Sequence, residues 1–181
     1  YENAIRKFGC DKPDLRIPLF LEDIKGLVKD QEFKVFSDPA NDENSRVVAL
    51  RIPDGAKFTR AKIDEYTNFV AKLGAKGLAY IKINTLDDMQ SPILKFIEDE
   101  CTSAIVKEVN ATDGDLIFFG AGPTDIVNLS MSSLIKKIAE DHNLYVKDWA
   151  PVWIVDFPMF ERNSEGKLTS LHHPFTLPKP K

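Results

Sequence analysis

Cysteine is scarce in this chain: of 181 residues only Cys10 and Cys101 carry thiols, far apart and outside any C-x-x-C spacing. No zinc knuckle or dithiol redox motif can be read from that spacing, and free or buried thiols in a reducing cytoplasm are the expectation. Long hydrophobic runs are missing as well. No stretch nears the roughly 20 apolar residues that span a bilayer. No charged-then-apolar leader opens the chain, so no membrane association is expected. A basic excess is also lacking: the formal net charge is −4, which argues against a broad nucleic-acid footprint and leaves room only for a local basic patch. There is no G-x-S-x-G elbow, P-loop, H-E-x-x-H or EF-hand loop, which removes the commonest motif-bearing hydrolases, nucleotide cradles and metal sites. No internal repeat at fixed period and no low-complexity tract is present.

What remains is an ordinary globular composition. Hydrophobic residues make up 43% of the chain, with twelve Phe, ample for a packed core. The length is large for one domain and small for two. The chemically dense part is the segment from Trp149 to Pro174, which holds both tryptophans and the adjacent pair His172 and His173. Its apolar run, Pro stop and polar turn predict a buried strand leading into a second strand at a polar site. The sequence opens at Tyr1 inside a helical pattern (Tyr1, Ala4, Ile5, Phe8) and stops after Pro178-Lys179-Pro180-Lys181 with no natural element end. It therefore reads as a piece of something longer.

Along the chain, the first helix ends at Gly9, and the two prolines at 13 and 18 push the next residues into an extended connection. Residues 33–36 and 46–52 read as short strands, joined as an antiparallel pair by the polar loop 38–44. Thr59 stands where an N-cap should, with Ile63, Tyr66, Phe69, Val70 and Leu73 on one helical face, and Gly74 and Gly77 bracket the stop. Residues 78–83 alternate as a strand, with 91–97 as its hairpin partner. Cys101, Ile105 and Val109 mark a narrow amphipathic helix. Asp113-Gly114-Asp115 turns into residues 116–119, an unbroken apolar run suited to a central strand, ended by Gly120-Ala121-Gly122-Pro123. Thr124 then caps a helix with Ile126, Leu129, Leu134, Ile135 and Ile138 as its apolar positions. Short strands flanked by amphipathic helices predict a two-layer α+β domain.

Each chemical candidate has a plainer competitor. Phe119-Gly120-Ala121-Gly122 invites a phosphate cradle, but the third glycine of the dinucleotide fingerprint is missing and Pro123 removes an amide donor. A tight strand-to-helix turn is the better reading. In an extended segment His172 and His173 point to opposite faces, so only one can address a small ligand while the other packs or hydrogen-bonds behind it. Adjacent imidazoles are also wrongly spaced to chelate one metal. His142, at a helix end, reads as a C-terminal cap. Asp156, inside the apolar run 152–157, calls for an Arg or Lys partner. Asp11, Lys12, Asp14 and Arg16 read as a solvated charged loop.

These same residues carry a resemblance. Phe8-Gly9-Cys10-Asp11-Lys12-Pro13-Asp14-Leu15-Arg16, then Ala150-Pro151 through Phe157-Pro158-Met159-Phe160-Glu161, then His172-His173-Pro174-Phe175-Thr176, resemble the bacterial-type aspartyl-tRNA synthetases. Between them, Gly74-Ala75-Lys76-Gly77-Leu78-Ala79, Gln90-Ser91-Pro92-Ile93 and Gly114-Asp115-Leu116-Ile117-Phe118-Phe119-Gly120-Ala121 are similar to the GAD domain inserted in that family, a module related to one in the tRNA-dependent amidotransferases. Cys10 stands where the family usually has Ser. The resemblance implies a catalytic-domain flank over residues 1–24, a GAD (DCoH-like) insertion domain over 25–146, and a catalytic-domain return strand with the histidine segment over 147–181. It implies that the flanks add strands of the class II catalytic domain, that His172 binds aspartate and that His173 supports it from behind. It further implies ATP-dependent activation of aspartate with Mg²⁺, transfer to tRNA-Asp, and a homodimeric parent. The class II motif 2 arginine, the motif 3 element and the anticodon-binding barrel are absent, so this stretch alone is expected to be inactive and to hold neither ATP nor metal.

Two other readings stand beside that one. A non-catalytic module that contacts tRNA or supports a dimer would show Lys and Arg with stacking aromatics on one exposed face. Lys57, Arg60, Lys62, Lys72 and Lys76 are its candidates, and a solvated helix face explains them equally well. An independent small-molecule enzyme using His172 with Asp156 would instead need a closed pocket with perturbed pKa values.

Overall fold

The structure is a computed structural model and describes residues 1–162 and 165–171. The chain starts with α1 (Glu2–Phe8), stopped by Gly9 in the left-handed region at φ 67°. A loop leads to the short edge strand β1 (Leu21–Asp23), then to α2 (Lys25–Val28) and α3 (Lys34–Asn41). The run expected as a strand at 33–36 is thus the start of a helix. Its aromatic residues fall at helical spacing: Phe33 meets Phe36 edge-on at 5.0 Å, and Phe36 packs on Phe119 at 5.2 Å. The expected loop at 38–44 begins inside that helix, with Pro39 in its second half.

The next strand, β2 (Ser45–Ile52), pairs with β1 and not with residues 33–36. A 3-10 turn then leads to α4 (Arg60–Ala71), where Thr59 caps as expected, its hydroxyl accepting from the Lys62 amide. Ile63, Tyr66 and Val70 form its buried stripe. After it come β3 (Ala79–Thr85) and the short β4 (Asp88–Gln90). Residues 91–97, expected as a strand, make a turn and a 3-10 helix instead. The Ser91 hydroxyl donates to the Tyr80 carbonyl, and Pro92 has no amide to give a ladder. Then follow α5 (Asp99–Glu108), β5 (Leu116–Pro123) and α6 (Thr124–His142), the last capped by Asn143 at φ 50°. Thr124 is the first helical residue and not the cap, and Leu129 is exposed. A small separate hairpin, β6 (Phe160–Arg162) with β7 (Leu168–Ser170), comes last.

The main sheet has the order β1-β2-β5-β3-β4, with every neighbouring pair antiparallel. The α+β class and the central position of β5 are as the sequence predicts. The layering differs, because helices cover both faces. Val48, Leu50, Ile52, Leu116 and Phe118 face a core with α4 and α6, while Val47, Ala49, Ile117 and Phe119 face a second core with α2, α3 and α5. The unbroken apolar runs of β2 and β5 follow from burial on both faces. Gly120 lets α6 approach the sheet: a Cβ there would stand 2.7 Å from the Met131 side chain.

One buried carboxylate fixes the entry into β5. Asp115 accepts from the Thr112 amide (2.8 Å), the Asp54 amide (3.2 Å) and Arg51 Nε (2.6 Å). It thereby closes the turn expected at Asp113-Gly114-Asp115 and orders the loop after β2. Replacing it with Ala strands two amide donors and a guanidinium, a loss of about 3 kcal/mol. Urea unfolding should show that drop for Asp115→Ala, a smaller one for Asp115→Asn, and an unchanged slope.

Candidate functional site

Two places gather polar chemistry. The first is the junction where the N-terminal flank meets the returning chain. In the 10–18 loop, Arg16 donates to the Asp14 carboxylate from Nε (2.8 Å) and Nη2 (2.6 Å) and lies 5.1 Å from the Tyr145 ring. That hydrogen-bonded guanidinium holds Asp14 below the usual carboxylate range. The charged loop read as merely solvated is thus half-buried and ordered around this pair. The Val146 amide donates to the Arg16 carbonyl at 2.9 Å. Further along, the rings of Tyr1 and Phe157 meet at 4.8 Å. Between the strands of chain lies a cavity of about 380 Å³ lined by Tyr1, Cys10, Asp11, Asn128, Ser132 and Leu171 among others. The Phe8-to-Arg16 motif and the approach to the histidine pair, distant in sequence, share this wall.

His172 and His173 themselves lie outside the described residues. The approach to them differs from the expected buried strand. Residues 150–157 form no strand, and Trp149 and Trp153 are 87% and 92% exposed. Asp156 is exposed too, with φ 57°, so its carboxylate stands in water and needs no buried partner. Among the described residues no three His, Cys, Asp or Glu side chains gather into a metal site. Among them, no helix is long and apolar enough to cross a membrane. Gly120, Ala121 and Gly122 continue β5 in register with Val48, Val47 and Arg46, and the Thr124 amide donates to the Asn44 carbonyl. The sequence placed a turn there; the structure has strand.

The second place is the α4–α6 contact. Lys62 bonds Asp141 (2.7 Å) and Glu65 (3.0 Å), while Lys137 reaches the same two carboxylates at 2.6 and 3.6 Å. Tyr66 donates to Asp141 at 3.0 Å, and its hydroxyl lies 3.0 Å from His142 Nε2. His142 stacks on Phe58 at 4.4 Å. His142 therefore closes a buried contact more than it caps a helix. Lys62, one of the RNA candidates, is committed here, and the aromatics beside it, Tyr66 and Phe58, are buried. Lys57, Arg60, Lys72 and Lys76 remain exposed, with Arg60 Nε 3.9 Å from Asp64. Sequence spacing could reveal the helix stripe of Tyr66. It carried no signal that Asp141 would meet Lys62.

Burial pushes the Asp141 carboxyl up, but hydrogen bonds from Lys137, Lys62 and Tyr66 outweigh it and bring it to about 2. Burial, aided by the Lys62 charge, lowers His142. Both groups bind protons more weakly folded than unfolded, so each contributes stability that is present above its unfolded pKa and lost as pH falls through its folded value. Stability should decline below about pH 6.5 through His142 and again from 3.8 towards 2 through Asp141. Denaturant titrations across pH should show the lower step vanish in Asp141→Asn and the upper one in His142→Gln.

Residues 36–131, just over half of the chain, match the family described as the GAD domain. They span the whole of β2 through β5 and the first part of α6. With its antiparallel sheet and flanking helices, the chain belongs to the GAD domain family, a domain found in aminoacyl-tRNA synthetases.

Proposed function

We propose that this chain is the GAD insertion of a bacterial-type aspartate–tRNA ligase together with the catalytic-domain segments on either side of it. The observation that carries the reading is convergence: the chain enters the domain and leaves it side by side. The Val146 amide donates to the Arg16 carbonyl, and the rings of Tyr1 and Phe157 meet. Adjacent ends are what an insertion needs if its host domain is to remain closed around it. The segments that meet there are those whose sequence resembles the ligase.

In that reading the ligase activates aspartate with ATP: a carboxylate oxygen of aspartate attacks the α-phosphorus and pyrophosphate leaves. A ribose hydroxyl at the tRNA 3′ end then attacks the adenylate carbonyl and AMP leaves. His172 donates a hydrogen bond to the bound aspartate, and a cationic donor suits an acidic amino acid. His173 supports it from the opposite face of the segment. The ATP phosphates and Mg²⁺ are held by other parts of the ligase, those with the class II motif 2 arginine and motif 3 element that this stretch of sequence lacks. The parent is a homodimer, with tRNA-Asp and aspartate as partners.

Two measurements test this. In the full-length ligase, His172→Ala should raise KM for aspartate on the order of tenfold or more, the scale of one charged hydrogen bond, with little change in KM for ATP. An enzyme whose pyrophosphate exchange does not depend on aspartate would sink the reading. A salt titration of tRNA-Asp binding to the chain itself, with an unrelated tRNA as control, tests the alternative of a tRNA-contacting module. Selective binding with a negative salt slope supports that alternative. Binding no better than the control at low salt removes it.

A further inference from the structure

Arg46 is the one cation, among the described residues, buried at the boundary between the GAD domain and its N-terminal flank. It sits near the start of β2 with a side chain only 8% exposed, opposite Gly122, whose missing side chain leaves the space beside it open. Its guanidinium donates to Asn128 Oδ1 on α6 (2.6 Å), to the Arg6 carbonyl (2.9 Å) and to the Ile5 carbonyl (3.4 Å), with Asp23 at 3.8 Å. The two carbonyls belong to the last turn of α1, where the helix dipole favours a cation; the Ile5 carbonyl also accepts from the capping Gly9 amide at 2.9 Å, whereas the Arg6 carbonyl is one that the helix itself leaves open.

The helix needs that support. It has seven residues, of which Ala4 alone is buried, and so short a helix is not stable by itself. Gly9 presses on the same spot from the other side. A Cβ there would lie 2.6 Å from the Asn128 carbonyl oxygen, so α1 can end against α6 only with glycine at this position. Asn128 therefore receives both the guanidinium and the end of α1. Lysine could not replace the arginine, since one ammonium on a flexible stem does not present the planar fork that meets acceptors on two elements at once.

We infer that Arg46 is a positioning residue: it locks α1 to the GAD domain and so sets the angle at which the insertion stands to the catalytic segments during transfer to tRNA. The inference rests on the ligase reading above and adds to it the residue that carries orientation. Arg46 itself does not line the cavity beside the histidine approach, although Ile5 and Asn128 do, whereas transfer depends on where a large tRNA is held.

The test uses the full-length ligase. Arg46→Ala should leave aspartate-dependent pyrophosphate exchange within about twofold of wild type and raise KM for tRNA about tenfold. Arg46→Lys should fall between. Amide hydrogen exchange should quicken at least tenfold across residues 3–9 in Arg46→Ala, with β5 unchanged. A tRNA KM within twofold of wild type, a parallel loss of aspartate activation, or unchanged exchange in α1 would each overturn the inference. Should Arg46→Ala fail to fold, Arg46→Lys carries the same three readouts. A wild-type enzyme that shows no aspartate-dependent pyrophosphate exchange removes the ligase reading itself, and the hydrogen-exchange comparison then still decides whether Arg46 holds the helix.

Discussion

The ladder between β2 and β5 is the constraint on which the remaining structure depends. Eight consecutive pairs run from Ser45 opposite Pro123 to Ile52 opposite Leu116 without a bulge. Because successive side chains alternate faces, this register assigns every apolar residue of both strands to one of two cores. A slip of one residue would exchange the faces and expel Phe118 and Phe119 from their partners. The ladder also sets the two polar fixtures of the domain. One end holds Arg46 opposite Gly122, where the flank docks, and the other brings Arg51 to Asp115, which closes the turn into β5. Five residues of strand put Arg46 and Arg51 roughly 17 Å apart, so the flank junction and the turn are separate structures joined by one rigid element.

Elements that satisfy their own pattern were legible in the sequence. The stripe of α4, its Thr59 cap, the alternation of β3, the spacing of α5 and the apolar run of β5 each follow from residues close together in the chain. The misreadings share a different cause. Residues 33–36 have strand-like composition, yet they become helical because Phe36 has its place under Phe119, more than eighty residues later. Residues 150–157 look like a core strand, since apolar content alone does not reveal whether anything covers it. The sheet was expected in two layers because, of the helices on its second face, only α5 shows in the sequence, while α2 and α3 are short and were hidden by Pro39 and by that strand-like composition.

The candidate site divides along the same line. The motif residues at 8–16 could be picked out, and the structure adds that they are ordered by Asp14, Arg16 and Tyr145. Arg46 offered no sequence signal, because an arginine beginning an apolar strand reads as an edge residue until the carbonyls of α1 are seen to face it. Lys62 was misleading in the opposite sense. A helical wheel puts it outside the stripe, whereas Asp141 and Lys137 arrive from a helix distant in sequence and draw it into a charge-balanced contact.

The adjacency of entry and exit also bears on the energetics of an insertion. Roughly 130 residues separate Arg16 from Val146, and closing a flexible loop of that length would cost a host domain about 4 kcal/mol in chain entropy. The GAD fold removes most of that cost, since its own sheet and the backbone bond from Val146 to Arg16 bring the ends together. In the ligase reading, the stability of the catalytic domain and that of the insertion are therefore linked, and Ile17, Leu19 and Leu21 of the flank pack in one core with β2, β5, α4 and α6. The link runs through the hydrogen bonds that the two share: the pairing of β1 with β2, Val146 with Arg16, and Arg46 with Ile5 and Arg6. Among these hydrogen bonds, those of Arg46 are the ones made by a side chain. Arg46 is therefore the place where substitution can alter how the two parts are joined while leaving both cores intact.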